Sequence, residues 1–219
     1  MADLVHADTR DISVDQALAL RTAAVGLAGE FTGIYGPETI ERFLHTSYDQ
    51  FATAHTVPNY LPLLAERFAR QRLQALARVE GHHRDGKPVV LFLCTHNAGR
   101  SQMALGFFTA LAGDRAVAWS GGSEPGTTIN PAAITTMAER GIDITSEYPK
   151  PWTDEVVRAA TVVVTMGCGD ACPVFPGTRY ENWEVDDPAG LTHDQVRPIR
   201  DELERRIRRL LDQLAITTN

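Results

Sequence analysis

Cys94 and Arg100 enclose Thr95-His96-Asn97-Ala98-Gly99 and are followed by Ser101, the segment of the chain best suited to chemistry. It lies between the apolar run Val89-Val90-Leu91-Phe92-Leu93 and a helical pattern. Small and polar residues let such a loop wrap a tetrahedral anion. Successive backbone N–H groups of Thr95 to Ser101 then turn inward, with the N-terminus of the next helix behind them. Arg100 adds a planar fork for two anion oxygens, which the point charge of a lysine cannot match. The same inward dipoles favour negative charge on the Cys94 sulfur and make it a nucleophile. A structural cysteine with an unrelated arginine nearby is the alternative. The order strand, loop, helix favours catalysis.

Further reactive residues fall after later strand patterns. The chain has 3 cysteines, and Cys168 and Cys172 follow the run Thr161 to Met166. An odd number argues against a disulfide framework and for reactive thiols. If their segment is helical, a spacing of four sets both sulfurs on one face, within disulfide range; if it moves, Cys168 can instead reach Cys94. Asp186-Asp187-Pro188 follows a weaker strand pattern. A carboxyl facing an anion tends to keep its proton, so Asp187 is a candidate acid for a leaving oxygen.

The elements that must position these groups divide into two zones. Residues 1–84 read as a three-helix domain. Ser13 caps a helix to about Glu30 on Val14, Leu18, Val25 and Leu27, and Gly36-Pro37-Glu38 opens another on Ile40, Phe43, Leu44, Tyr48 and Phe51. Asn59 caps a third, which runs to Val79. A polar stretch, Gly81 to Pro88, marks the boundary, and its adjacent His82 and His83 read as solvated linker residues, so no metal site is expected. Residues 85–219 alternate strand and helix. Strands at Val89–Leu93, Ala116–Ser120, Thr161–Met166 and Tyr180–Trp183 alternate with helices at 101–112, 131–140, 154–160 and 194–214. The expected fold is α/β, a four-stranded parallel sheet with helices on both faces and ligands at the strand C-termini.

Composition narrows the function classes. A hydrophobic content of 43% suits a globular core, and the net charge of −7 disfavours nucleic acid or anionic membrane as partners. No apolar run approaches the roughly 20 residues of a bilayer span. The polar, acidic start does not resemble a signal peptide, and a cytoplasmic location is expected.

From about Pro88 to Leu214 the chain resembles the low-molecular-weight tyrosine phosphatase superfamily, and more closely its thioredoxin-coupled arsenate reductase branch. The resemblance is carried by Cys94 to Ala104, Trp119-Ser120-Gly121-Gly122, Asn130-Pro131-Ala132-Ala133, Val162 to Cys168 with Cys172-Pro173, and Trp183 to Gly190. It implies that Cys94 attacks arsenate, that Arg100 and the loop amides hold its oxygens, and that Asp187 assists loss of water. Ser101 would hydrogen-bond the sulfur and Asn97 would hold the loop. Cys168 would then attack Cys94 and release arsenite, and Cys172 would leave a Cys168–Cys172 disulfide for thioredoxin. No tightly bound cofactor is implied. Some members use Asn97 and Ser120 positions in a potassium site, and only those two match clearly here. Two features depart from the better-known members: a shorter Cys168–Cys172 spacing, and His96 where a small residue is common. The helical zone resembles an extension on some relatives, and a homodimer would bury its apolar faces.

Three other readings compete with this one. A phosphotyrosine phosphatase would use Cys94, Arg100 and Asp187 alone, but Ala189-Gly190 stand where an aromatic grip is usual, and Cys172 would be idle. A mycothiol-dependent reductase needs only Cys94. A non-catalytic sensor would need a recognition face, and Arg67 to Arg78 reads more simply as a solvated side.

Overall fold

The computed structural model describes residues 12–52, 60–82, 85–167 and 174–217. The chain divides into two compact units, Met1–Leu73 and Gln74–Asn219.

The first unit is helical: α1 (Val14–Glu30), α2 (Pro37–Ala52) and most of α3 (Leu61–Val79). Ser13 and Gln16 form a reciprocal capping box at the start of α1. The buried face of α1 is Leu20, Ala23 and Leu27. Val14, Leu18 and Val25, expected to supply apolar core positions, are instead 84%, 62% and 74% exposed. Both sets have helical spacing, so periodicity alone did not choose between them. The α2 stripe is buried as expected, and Phe51 meets Phe68 of α3 edge-on with ring centres 5.6 Å apart. The expected cap Asn59 lies outside the described residues.

The second unit is built on β1 (Val89–Cys94), β2 (Val117–Gly122), β3 (Val162–Met166) and β4 (Arg179–Asn182), all parallel, in the order β2-β1-β3-β4. On one face Phe92, Val164 and Met166 pack with α4 (Arg100–Ala112), α5 (Pro131–Ala138) and α7 (His193–Gln213). On the other, Leu91, Leu93 and Val163 pack with Val156 and Val157 of α6 (Asp154–Ala159) and with Ala75. Every β1 residue is buried, as its unbroken apolar sequence requires of a strand covered on both sides. Phe92, Phe107 and Phe108 are fully buried, each contributing about 1.5–3 kcal/mol.

Element ends shift slightly from the sequence reading. β2 runs on to Gly122, β4 starts one residue earlier, and α5 stops at Ala138 before a turn into Gly141 at φ +73°. α5 and α7 are joined by Glu139, which accepts from Arg197 Nε and from Arg200 Nη1. The Arg197 hydrogen bonds, and then those of Arg200, hold the Glu139 carboxyl down at about 2.

Because strand order reverses between β1 and β3, the crevice at their C-terminal ends is the switch point where ligands bind in open α/β sheets. Cys94 is the last residue of β1, in register with Met166.

Candidate active site

The segment 95–99 turns from β1 into α4, and its shape is set by Asn97. This residue is fully buried and takes φ +46°, a left-handed conformation that asparagine tolerates better than most residues. Lys150 N–H donates to Asn97 Oδ1 at 3.0 Å and Gln102 Nε2 does so at 3.1 Å. Two donors on that oxygen fix the amide orientation, so Asn97 Nδ2 donates to Ser101 Oγ at 2.8 Å. Ser101 Oγ lies 3.0 Å from Cys94 Sγ. With its oxygen already accepting, the serine is free to aim its hydroxyl hydrogen at the sulfur, as an ionised nucleophile requires. Cys94 is only 2% exposed.

Gly99 caps α4 without a side chain, which leaves the helix N-terminus facing the loop. Behind the loop, Glu124 N donates to Thr95 O at 2.9 Å and Gly126 N to His96 O at 2.8 Å. His96 is exposed, with Nδ1 3.0 Å from Glu124 O, and Ala98 is half-buried.

Arg100 is 8% exposed. Its Nη2 donates to Asp187 Oδ2 at 2.7 Å and its Nη1 to Val185 O at 3.3 Å. The carboxylate thus occupies the fork that an oxyanion would take. Pro188 lies against Gly99, where a β-carbon would come within 2.5 Å of Cγ, so the Asp187 loop rests directly on the anion loop.

Cys168 and Cys172 lie outside the described residues. The residue before Cys168 is Gly167, at φ +76°, and a β-carbon there would meet Arg100 Nη1 at 2.9 Å. Thr95 Oγ1 donates to Gly167 O at 2.9 Å. The chain therefore leaves β3 pinned to the anion loop.

The two positions linked by resemblance to potassium differ in what they could offer a cation. Asn97 Oδ1 is already engaged by two N–H donors, and Ser120 Oγ is buried without a protein partner. Lys150, 3% exposed, donates its ammonium to Tyr148 O at 3.3 Å, the carbonyl that also accepts from Gln102. Glu147 Oε2, 3.6 Å from that ammonium, pairs its charge.

Sequence reading gave no role to Gln102 or Lys150. The flanking Pro149 and Pro151 were the available signal for Lys150, since they mark a backbone held extended on both sides of it.

Residues 89–218 match the family "Low molecular weight phosphotyrosine protein phosphatase", and residues 20–77 match "Protein-tyrosine-phosphatase-like, N-terminal domain". The solved thioredoxin-dependent arsenate reductase of Corynebacterium glutamicum is 40% identical with a TM-score of 0.83, covering 91% of this chain and 98% of that one. Arsenate reductase 1 of Staphylococcus epidermidis is 39% identical over 122 residues, 54% of this chain and 91% of that protein. A structure described as an arsenate reductase in the phosphate binding state is 30% identical with a TM-score of 0.52, covering 57% of this chain and 98% of that one. With its second unit matched almost end to end, and a C. glutamicum relative alike through both units, the chain belongs to the low molecular weight phosphotyrosine protein phosphatase family.

Proposed function

We propose that this chain reduces arsenate to arsenite and is recycled by thioredoxin, as part of arsenic detoxification. The observation that carries the reading is the chain Lys150 N–H, Asn97, Ser101, Cys94, set beside Arg100 at the end of β1. It sets the Ser101 hydroxyl against the sulfur of a nucleophile that faces an anion cradle. The C. glutamicum reductase, similar over nearly the whole length, supports arsenate as substrate and thioredoxin as reductant.

Arsenate enters the loop of Thr95 to Ser101 and takes the Arg100 fork from Asp187. The Cys94 thiolate attacks arsenic as the As–O bond breaks, and Asp187, which takes up a proton from solvent once the anion holds the fork, passes it to the departing oxygen, so that water leaves. Cys168 thiolate attacks the Cys94 sulfur; the S–As bond breaks, its electron pair stays on arsenic, and arsenite departs with arsenic reduced by two electrons. Cys172 then attacks Cys168, freeing Cys94 and leaving a Cys168–Cys172 disulfide for thioredoxin. Gly167 brings the end of β3 to the anion loop, beside Arg100.

A cytoplasmic setting, where thiols are kept reduced, suits this cycle. Among the described residues no helix is long and apolar enough to cross a membrane. A second copy of the chain is the proposed cover for the exposed Val14, Leu18 and Val25.

The test is arsenate-dependent NADPH oxidation coupled through thioredoxin and its reductase. Cys94→Ser, Cys168→Ser and Cys172→Ser should each abolish multiple turnover. Full turnover by any of them overturns the relay, and strong p-nitrophenyl phosphate hydrolysis without arsenate turnover makes the chain a phosphatase.

A further inference from the structure

Asn130 joins the anion loop, the Asp187 loop and the start of α5. Its backbone N–H donates to Ala98 O at 2.8 Å, its Nδ2 donates to Pro188 O at 2.9 Å, and its Oδ1 accepts from Ala132 N at 2.8 Å. Side-chain oxygen faces a donor and side-chain nitrogen faces a carbonyl, so the amide orientation is fixed by its surroundings.

Arg100 holds the Asp187 carboxylate in the resting site. An arriving oxyanion competes for the same guanidinium and frees the carboxylate from it. The contact of Pro188 on Gly99 and the Asn130 bond to Pro188 O do not involve Arg100, so they persist when the fork turns to substrate.

We propose that Asn130 is a positioning residue for proton donation, its bond to the Pro188 carbonyl keeping Asp187 over the anion loop once Arg100 has passed to the oxyanion. The inference rests on the reading above, in which Asp187 protonates the oxygen that leaves as the Cys94–As bond forms.

Serine caps helices about as well as asparagine but is too short to carry a donor to Pro188. Asn130→Ser therefore keeps the cap and removes the latch. Asn130→Asp also keeps the cap, and it sets an acceptor against the Pro188 carbonyl. The experiment measures single-turnover arsenite release with enzyme in excess, and inhibition by inorganic phosphate, for Asn130→Ser, Asn130→Asp, Asp187→Asn and the Asn130→Ser/Asp187→Asn double variant.

Asn130→Ser is expected to slow arsenite release about tenfold, a part of what full loss of a general acid costs. Asn130→Asp should lose at least as much. The phosphate inhibition constant of Asn130→Ser should stay within about twofold, and the serine change should add nothing in the Asp187→Asn background. Equal slowing in both backgrounds, or phosphate binding lost in proportion to rate, overturns the role of Asn130 and reduces it to a scaffold of the anion loop. Full activity of Asp187→Asn alone overturns instead the acid role on which the inference rests.

Discussion

Asn97 donates to Ser101 Oγ at 2.8 Å, and that one bond determines what Ser101 can offer the sulfur beyond it. A hydroxyl whose oxygen already accepts has its hydrogen to spare. Ser101→Ala should therefore slow Cys94 chemistry by about 10- to 100-fold at neutral pH, the range for a hydrogen bond to a charged group. The check is the rate of Cys94 alkylation by iodoacetamide in a protein whose Cys168 and Cys172 are serine. An unchanged rate would mean that the hydroxyl does not support the ionised sulfur.

Gly167→Ala should weaken anion binding. The residue sits at φ +76°, and its new methyl would press on Arg100 Nη1. The left-handed backbone alone costs an alanine about 1–2 kcal/mol. We expect phosphate inhibition to weaken roughly tenfold, and inhibition constants measured with and without the change are the test. Unaltered inhibition would place Arg100 beyond the influence of position 167.

Asp187→Asn should separate binding from turnover. Arg100 is paired with the carboxylate at 2.7 Å before any substrate arrives. Removing that charge frees the fork before the anion arrives, so phosphate should bind more tightly. The chemical step should slow by about 10²-fold or more, because its acid is gone. Weaker phosphate binding in this variant would contradict the resting pair as a competitor.

Glu139 sets a pH dependence of stability rather than of chemistry. Its carboxyl is held at about 2 by Arg197 and then Arg200, against an ordinary value of 4.5. A group lowered on folding stabilises the native state above its unfolded value, and that support is lost as pH falls through the folded value. Glu139→Gln should lower Tm near pH 7, and the gap from the parent protein should close between about pH 5 and pH 2. Thermal melts across that range decide it; a constant gap would mean that the ion pairs contribute nothing.

The sheet was legible because β1 and β3 are unbroken apolar runs and the anion loop follows the first of them. Cys94, Arg100 and Ser101 were legible for the same reason: their spacing is local. Lys150 was not, because its importance lies in a bond to a residue more than fifty positions away. A backbone N–H has no sequence signature when it supports a distant side chain. The face chosen by α1 was also hidden, since Leu18 and Leu20 are chemically alike and only the neighbouring helices decide which is buried.

β1 and β3 are neighbours, and Cys94 stands opposite Met166 across a single gap between strands. On the proposed mechanism, the nucleophile and the thiol that relieves it issue from adjacent strand ends. On this frame the step from hydrolysis to reduction would ask for no new strand and no altered pairing. It would ask only for sulfur in the few residues that follow Gly167, so the redox trait rests on a short stretch of sequence rather than on the sheet.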